Sequence, residues 1–342
     1  ILSFLKRIFY FIKTLIQQLI KGEIIFNDWP YHHGAKELRE FFSQNKNLSI
    51  IGVDYRFEKQ FLNKDKYINF LSMNLEYKKN KIGYLFDFQH KYLSNNFSKK
   101  EIIDRDSLFL KILNNNDHVV VNSIQVKKDA QKFYKKFKAK ISVLPFAPYL
   151  DFDLKLLPNK NKYLKSYFII CNHFWKHKNF ETAIKAFKIL KNKEINLIIT
   201  GQVSNKNFHY FIKIKKLIKE LKLENTVKIF TNLKKKNQLS LLKNSIALIQ
   251  PSLFEGGPGG FSVYEAISLN KPVIVSDINV NKEIKNKHLF FFKKNNAIDL
   301  TDKILSTLKK RPRNFLKSQI LYNSKKNKIK LGKYVFNLLQ KF

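Results

Sequence analysis

The chain has 342 residues, 44% of them apolar, and carries a formal net charge of +39. With that apolar content disorder is not the default reading, and the length allows two domains, each with its own core. The single cysteine, Cys171, excludes an intramolecular disulfide and fits a reducing compartment, and no uninterrupted apolar run reaches the roughly 18 residues of a membrane-spanning helix.

Residues 1–21 are amphipathic. Leu5, Ile8, Ile12, Leu15 and Leu19 share one face, with Lys6, Arg7, Lys13 and Gln17 opposite. This predicts a helix that packs on a sheet or lies on a membrane surface. The same basic residues interrupt the apolar core that a secretory signal needs. The chain opens on Ile1 rather than methionine, which suggests a fragment or a processed start. Ile24 to Gly34 reads as an irregular segment followed by a helical pattern. Strands are expected at Ser49–Val53, Lys81–Phe86, His118–Val121 and Ile141–Leu144, with a helix over Glu101 to Asn114. Alternation of this kind implies a parallel sheet with helices on both faces. Periodicity then fades from Pro145 to Asn161, a stretch with three prolines, and the domain linker is expected there.

The second half alternates more clearly. Strands are expected at Tyr167–Cys171, Asn196–Thr200, Val227–Phe230, Ile246–Ile249, Pro272–Val275 and Leu289–Phe292. Helices are expected at Phe180–Leu190, His209–Leu221, Asn237–Asn244, Asn296–Leu308 and Phe315–Leu339. The expected domains are residues 1–150, residues 151–314, and a final helical segment over 315–342.

Gln250 to Ile284 carries the most chemistry: strand, Gly-rich loop, helix, strand. Glu255 opens the loop, Gly256, Gly257, Gly259 and Gly260 lie within it, and Glu265 stands on the helix beyond. Glycines let backbone N–H groups approach a ligand closely, and a helix N-terminus attracts negative charge. Two flanking acids suit an anionic ligand that also bears hydroxyls, such as a nucleotide sugar. Ser262-Val263-Tyr264-Glu265 also fits a capping box, which would spend Glu265 on the helix itself.

This segment resembles the signature of family 4 glycosyltransferases, retaining enzymes of GT-B fold. Nine residues separate Glu255 from Glu265, two more than in the family pattern, while the flanks QPSLFEG and EAISLNKPVIVSD match. The resemblance implies two doubly wound Rossmann-like domains with a cleft between them. It implies that Glu255 binds the donor sugar and Glu265 the ribose, with Gly259, Gly260 and Phe261 at the diphosphate. In the loop after Tyr167–Cys171 the family places an Arg and a Lys. Lys178 matches the Lys, and His173 stands where the Arg is expected, an exchange that weakens one phosphate contact or makes it pH-dependent. The run Asp87-Phe88-Gln89-His90 is similar to an acceptor-side run of related enzymes, which implies catalytic roles for Asp87 and His90 beside Glu255 and an acceptor contact for Gln89. Phe86 replaces the histidine common in the family. Ser123, after the strand at His118, is read as an N-cap or a ligand contact.

No cofactor is expected beyond the nucleotide diphosphate sugar substrate, and metal ligation has no support in the spacing of His, Cys and Asp. Three readings compete for the basic charge: a lysine-rich coding bias, attraction to an anionic membrane surface or lipid phosphate, and nucleic acid. The last ranks lowest, because the lysines are dispersed and no nucleic-acid motif is present. The expected function is transfer of a sugar to a glycan or lipid-linked acceptor in cell-surface polysaccharide or glycolipid synthesis. The expected setting is the cytoplasm or the inner face of the membrane. A non-catalytic binding or scaffolding protein of the same fold is the alternative.

Overall fold

The computed structural model describes residues 24–28, 50–54, 67–72, 81–150, 154, 166–190, 194–309 and 316–339. The helix expected over 1–21 and much of the expected linker lie outside the described residues. The chain divides into two compact units: Ile1–Ala147 with Lys325–Phe342, and Pro148–Ser324. Each is an α/β unit built on a parallel sheet.

The first sheet holds β1 (Ile24–Asp28), β2 (Ile50–Asp54), β3 (Tyr67–Ser72), β4 (Lys81–Leu85), β5 (His118–Val121) and β6 (Lys140–Val143), ordered β2-β1-β3-β4-β5-β6. Ile24–Asp28, read from sequence as irregular, is a regular strand paired with both β2 and β3. After β4 comes a short turn of helix, α1 (Gln89–Tyr92), then α2 (Lys99–Asn115) and α3 (Ile124–Phe133). α2 begins two residues before the expected Glu101 because Ser98 and Glu101 form a reciprocal capping box. Ser123 caps α3, its Oγ accepting the Val126 N–H at 3.0 Å. Leu85, Phe88, Phe109, Ile112 and Val121 make the core between this sheet and its helices.

The second sheet holds β7 (Tyr167–Cys171), β8 (Asn196–Gly201), β9 (Val227–Thr231), β10 (Leu248–Gln250), β11 (Val273–Ser276) and β12 (Leu289–Phe292). Their order is β12-β11-β10-β7-β8-β9. All five residues of β7 are buried, as a central parallel strand covered on both faces requires. Its alternate side chains feed two cores. Phe168 and Ile170 pack with α4 (Phe180–Ile189), α5 (Phe208–Glu220) and α8 (Ala297–Lys309), whereas Ile169 and Cys171 pack with α6 (Lys235–Asn244) and α7 (Gly260–Ser268). The chain therefore leaves β7 toward one face and β10 toward the other, although these strands are neighbours. A crevice opens at the carboxyl ends of such a pair, where strand order reverses. The last helix, α9 (Lys317–Leu339), starts in the second unit and continues in the first.

Candidate functional site

The loop after β7 carries Asn172 to Asn179 and ends in a tight turn, with Asn179 at φ 52°. The loop after β10 carries Pro251 to Gly259. Backbone and side-chain bonds stitch the two loops together. Leu253 N–H donates to His177 O at 2.7 Å, and Asn179 Nδ2 donates to Pro251 O at 3.2 Å. Across this seam Lys178 Nζ grips both oxygens of Glu255, at 2.6 and 2.8 Å. The pair is mostly enclosed, with side chains 15% and 9% exposed. Ser252 Oγ, at 2.6 Å, and Gln250 Nε2, at 3.2 Å, also donate to Glu255 Oε1. The carboxylate is thus fixed in direction by three side chains.

Gly259 and Gly260 close the loop, both at φ +65°. This left-handed backbone favours glycine. Gly259 N–H donates to Asn281 Oδ1 at 3.0 Å, and its carbonyl accepts from Gln250 Nε2. Asn281 is fully buried and donates in turn to Ser276 O at 2.9 Å. α7 starts at Gly260, so Ser262 lies inside the helix and the expected capping box is absent. Glu265 instead pairs with Lys235, at 2.7 Å from Nζ to Oε1. The first amides of α7 point away from the helix body with no partner within it.

A cavity of about 510 Å³ lies in front of that helix end. Gly259, Gly260, Phe261, Ser262 and Lys178 line it on one side, and Thr200, Gly201, Gln202, Leu233, Lys235 and Gln238 on the other. Cys171, Asn172 and Gln250 form the floor at the strand ends. Burial pushes the Cys171 thiol up to about 12, so it is a neutral wall. Gly201 matters by its size: a Cβ there would stand 2.0 Å from the Asn172 carbonyl oxygen. His173 is exposed overall and lines the cavity, and its Nδ1 accepts the Gln202 N–H at 3.3 Å. Burial of its ring, and then the Lys178 charge, lower its pKa, so it meets the cavity neutral. His177 is lowered further, to about 4, by burial first and Lys178 second, with Glu255 opposing.

The sequence reading brought Glu255, Glu265, Lys178, His173, Gly259, Gly260 and Phe261 to this region. It missed Gln250, Ser252, Lys235, Gln238 and Asn281. Asn and Ser in loops carry no signal that separates a buried tie from an ordinary turn residue, and Lys235 sits within a run of three lysines.

The first-unit candidates are placed differently. Asp87 Oδ1 accepts from Arg105 Nη2 at 2.7 Å and caps the Gln89 N–H at 2.9 Å. Gln89 is half-buried at the first position of α1. His90 is 1% exposed, with Nε2 2.9 Å from Asp106 Oδ1 and its ring against Phe88 and Phe109. Burial would raise the Asp106 carboxyl, but donation from Lys91, Tyr134 and His90 outweighs it and holds the pKa down. His90 is therefore a core residue that anchors α1 on α2. Its other ring nitrogen, Nδ1, is buried with no hydrogen-bond partner.

Among the described residues no three His, Cys, Asp or Glu side chains gather into a metal-binding set, and no helix is long and apolar enough to cross a membrane.

Comparison with known proteins agrees with this geometry. An O-antigen chain mannosyltransferase of Salmonella typhimurium, RfbU, is 31% identical over 169 residues, which are 49% of this chain and 44% of that protein. The chain thus matches less than half the length of that relative. HepE of Anabaena, solved in complex with UDP, superposes with a TM-score of 0.60 at 14% identity, over 94% of this chain and 100% of that one. A glycosyltransferase from Rickettsia africae gives 0.57 at 17% identity, over 93% and 98%. These structures show the fold to be GT-B. The family model described as glycosyl transferases group 1 matches residues 156–326, half of the chain and all of the cavity just described, and the chain belongs to that family.

Proposed function

We propose that the chain is a retaining, metal-independent glycosyltransferase that moves a sugar from a nucleoside diphosphate sugar to an acceptor hydroxyl. One observation carries this reading: Lys178 and Glu255 are held together beside a cavity closed by the N-terminus of α7. A diphosphate placed there meets the amides of Gly260 and Phe261 and the Lys178 ammonium. Glu255 accepts from sugar hydroxyls, and Glu265 from the ribose. The bond from the anomeric carbon to the β-phosphate oxygen breaks as the acceptor oxygen bonds to that carbon. The acceptor proton passes to the departing phosphate oxygen. Fixed dipoles and a cation at the leaving group stabilise the charge that develops there.

The acceptor is a glycan or lipid-linked hydroxyl of cell-surface polysaccharide synthesis. This rests on the name of the Salmonella relative and on the net charge of +39, which favours an anionic surface. Thermal shift against a panel of nucleoside diphosphates and their sugars tests the donor. At least one must raise the melting temperature, and Glu255→Gln must cut turnover of that donor by at least about a hundredfold. A panel without any stabilising nucleotide would sink the reading. For the surface, the protein must pellet with anionic liposomes and be released by salt.

A further inference from the structure

Two buried side chains on the cavity floor keep an unused polar atom. Asn172 is 9% exposed and its Nδ2 has no hydrogen-bond partner. Gln250 is 1% exposed and its Oε1 has none. The orientation of the Gln250 amide is settled by its neighbours, since Glu255 Oε1 and Gly259 O are both acceptors and take the Nε2 side. Its oxygen is therefore the atom left over. Buried polar groups without a partner are rare and destabilising, and two on one cavity floor point to a ligand that completes them.

The strands place the two residues side by side. Leu248 of β10 is level with Ile169 of β7, so Gln250 is level with Cys171 and Asn172 follows directly. Their chemistry is complementary: the Asn172 amide, held by no hydrogen bond, is free to present its Nδ2 donor, and Gln250 presents an acceptor. A phosphate oxygen only accepts, so it cannot satisfy Gln250 Oε1. A hydroxyl both donates and accepts. Gln250 also bonds Glu255, the carboxylate read above as holding the donor sugar.

We infer that Asn172 and Gln250 form a hydroxyl-binding subsite that selects the transferred sugar by one of its hydroxyl groups. This rests on the proposed nucleoside diphosphate sugar reading and deepens it. The hydroxyl donates to Gln250 Oε1 and accepts from Asn172 Nδ2. The β-phosphate remains with Lys178 and α7. The diphosphate alone therefore leaves both atoms unpaired, and the sugar completes the site. A site built to bond a hydroxyl rejects the analogue that lacks it far more strongly than it senses a missing methylene.

The test uses the unmodified chain and calorimetric titration with UDP, GDP, UDP-glucose, GDP-mannose and the monodeoxy forms of both sugars. The expected result is that UDP or GDP binds, that its sugar binds, and that one monodeoxy form binds at least about tenfold more weakly than its parent. In Asn172→Leu, which removes the free N–H at similar size without adding charge, that difference shrinks to about twofold or less while affinity for the bare diphosphate is kept. Gln250→Met must shrink it likewise. If every monodeoxy form binds like its parent, or if both variants keep the full discrimination, the subsite does not exist although the nucleotide site stands. If neither UDP nor GDP binds, the nucleotide reading falls and the subsite falls with it.

Discussion

Gly259 and Gly260 share a φ of +65°, yet their surroundings differ, and that difference isolates what the loop requires. A Cβ on Gly259 would stand 2.7 Å from Val263 Cγ2 and 2.8 Å from Val263 Cβ. Val263 is fully buried on α7 and has nowhere to move. A Cβ on Gly260 meets nothing closer than Gln250 Nε2 at 3.9 Å. In both positions alanine incurs the left-handed penalty of about 1–2 kcal/mol, offset by about 0.4–1 kcal/mol from the smaller entropy of the unfolded chain. Only Gly259→Ala adds overpacking, worth about 1–3 kcal/mol. Gly260→Ala should therefore destabilise by about 1 kcal/mol and Gly259→Ala by about 2–4 kcal/mol. Trp29 and Trp175 are the two tryptophans, one in each unit. Urea unfolding followed by Trp175 fluorescence in a Trp29→Phe background reports the second unit alone. Equal losses for the two alanines, or a neutral Gly259→Ala, would refute the argument that packing against Val263 fixes the start of α7.

The remaining expectations use the same second unit. Gly201→Ala must be worse than either loop alanine, because its Cβ meets a backbone oxygen at 2.0 Å that cannot rotate away; a midpoint above that of Gly259→Ala would contradict this. Lys178→Met leaves the 9% exposed Glu255 carboxylate without its cation and should lower stability by up to about 3–5 kcal/mol, with at least about tenfold weaker nucleoside diphosphate binding by calorimetry. His177 gives a pH signature. Burial holds its pKa near 4 in the fold, so from pH 6.5 down to about 4 the unfolded chain binds the extra proton. The resulting stability is complete above pH 6.5 and drains as the pH falls through that window. Urea midpoints measured between about pH 7 and pH 5 must therefore fall with acid, and fall less in His177→Gln; parallel slopes would exclude His177 as the cause.

How far the sequence could be read follows from the range of the interactions. β7 announces itself because Tyr167 to Cys171 is apolar throughout, and a strand buried on both faces needs that. β5, β7 and β12 lie where the apolar runs place them, and most other elements shift by a residue or two at their ends. β3 was not foreseen: Tyr67 to Ser72 mixes polar and apolar residues, and pairing with β1 and β4 settles it. The acids and glycines of the β10 loop were legible because their types and order are local. Their partners were not. Asn281 reaches Gly259 across 22 residues, Lys178 reaches Glu255 across 77, and Lys235 reaches Glu265 across 30. The run Asp87 to His90 shows the same limit. The pairing of Asp87 with Arg105 and of His90 with Asp106 is equally invisible locally, because both partners come from α2.

The large positive charge and the site chemistry act at different ranges, and kinetics can separate them. Within the cavity wall each cation that touches a key acid is matched: Lys178 by Glu255, and Lys235 by Glu265. On the proposed reading a diphosphate meets a locally balanced wall and is held by the α7 amides and Lys178. The net charge of +39 works outside, drawing anions over distances comparable with the Debye length of about 8 Å at 0.15 M salt. Added salt should then slow nucleotide association steeply and leave dissociation nearly constant. Stopped-flow measurement of both rate constants from about 0.05 to 0.5 M NaCl decides the matter. Dissociation that accelerates as steeply as association slows would mean that exposed lysines, and not the enclosed loop, hold the nucleotide.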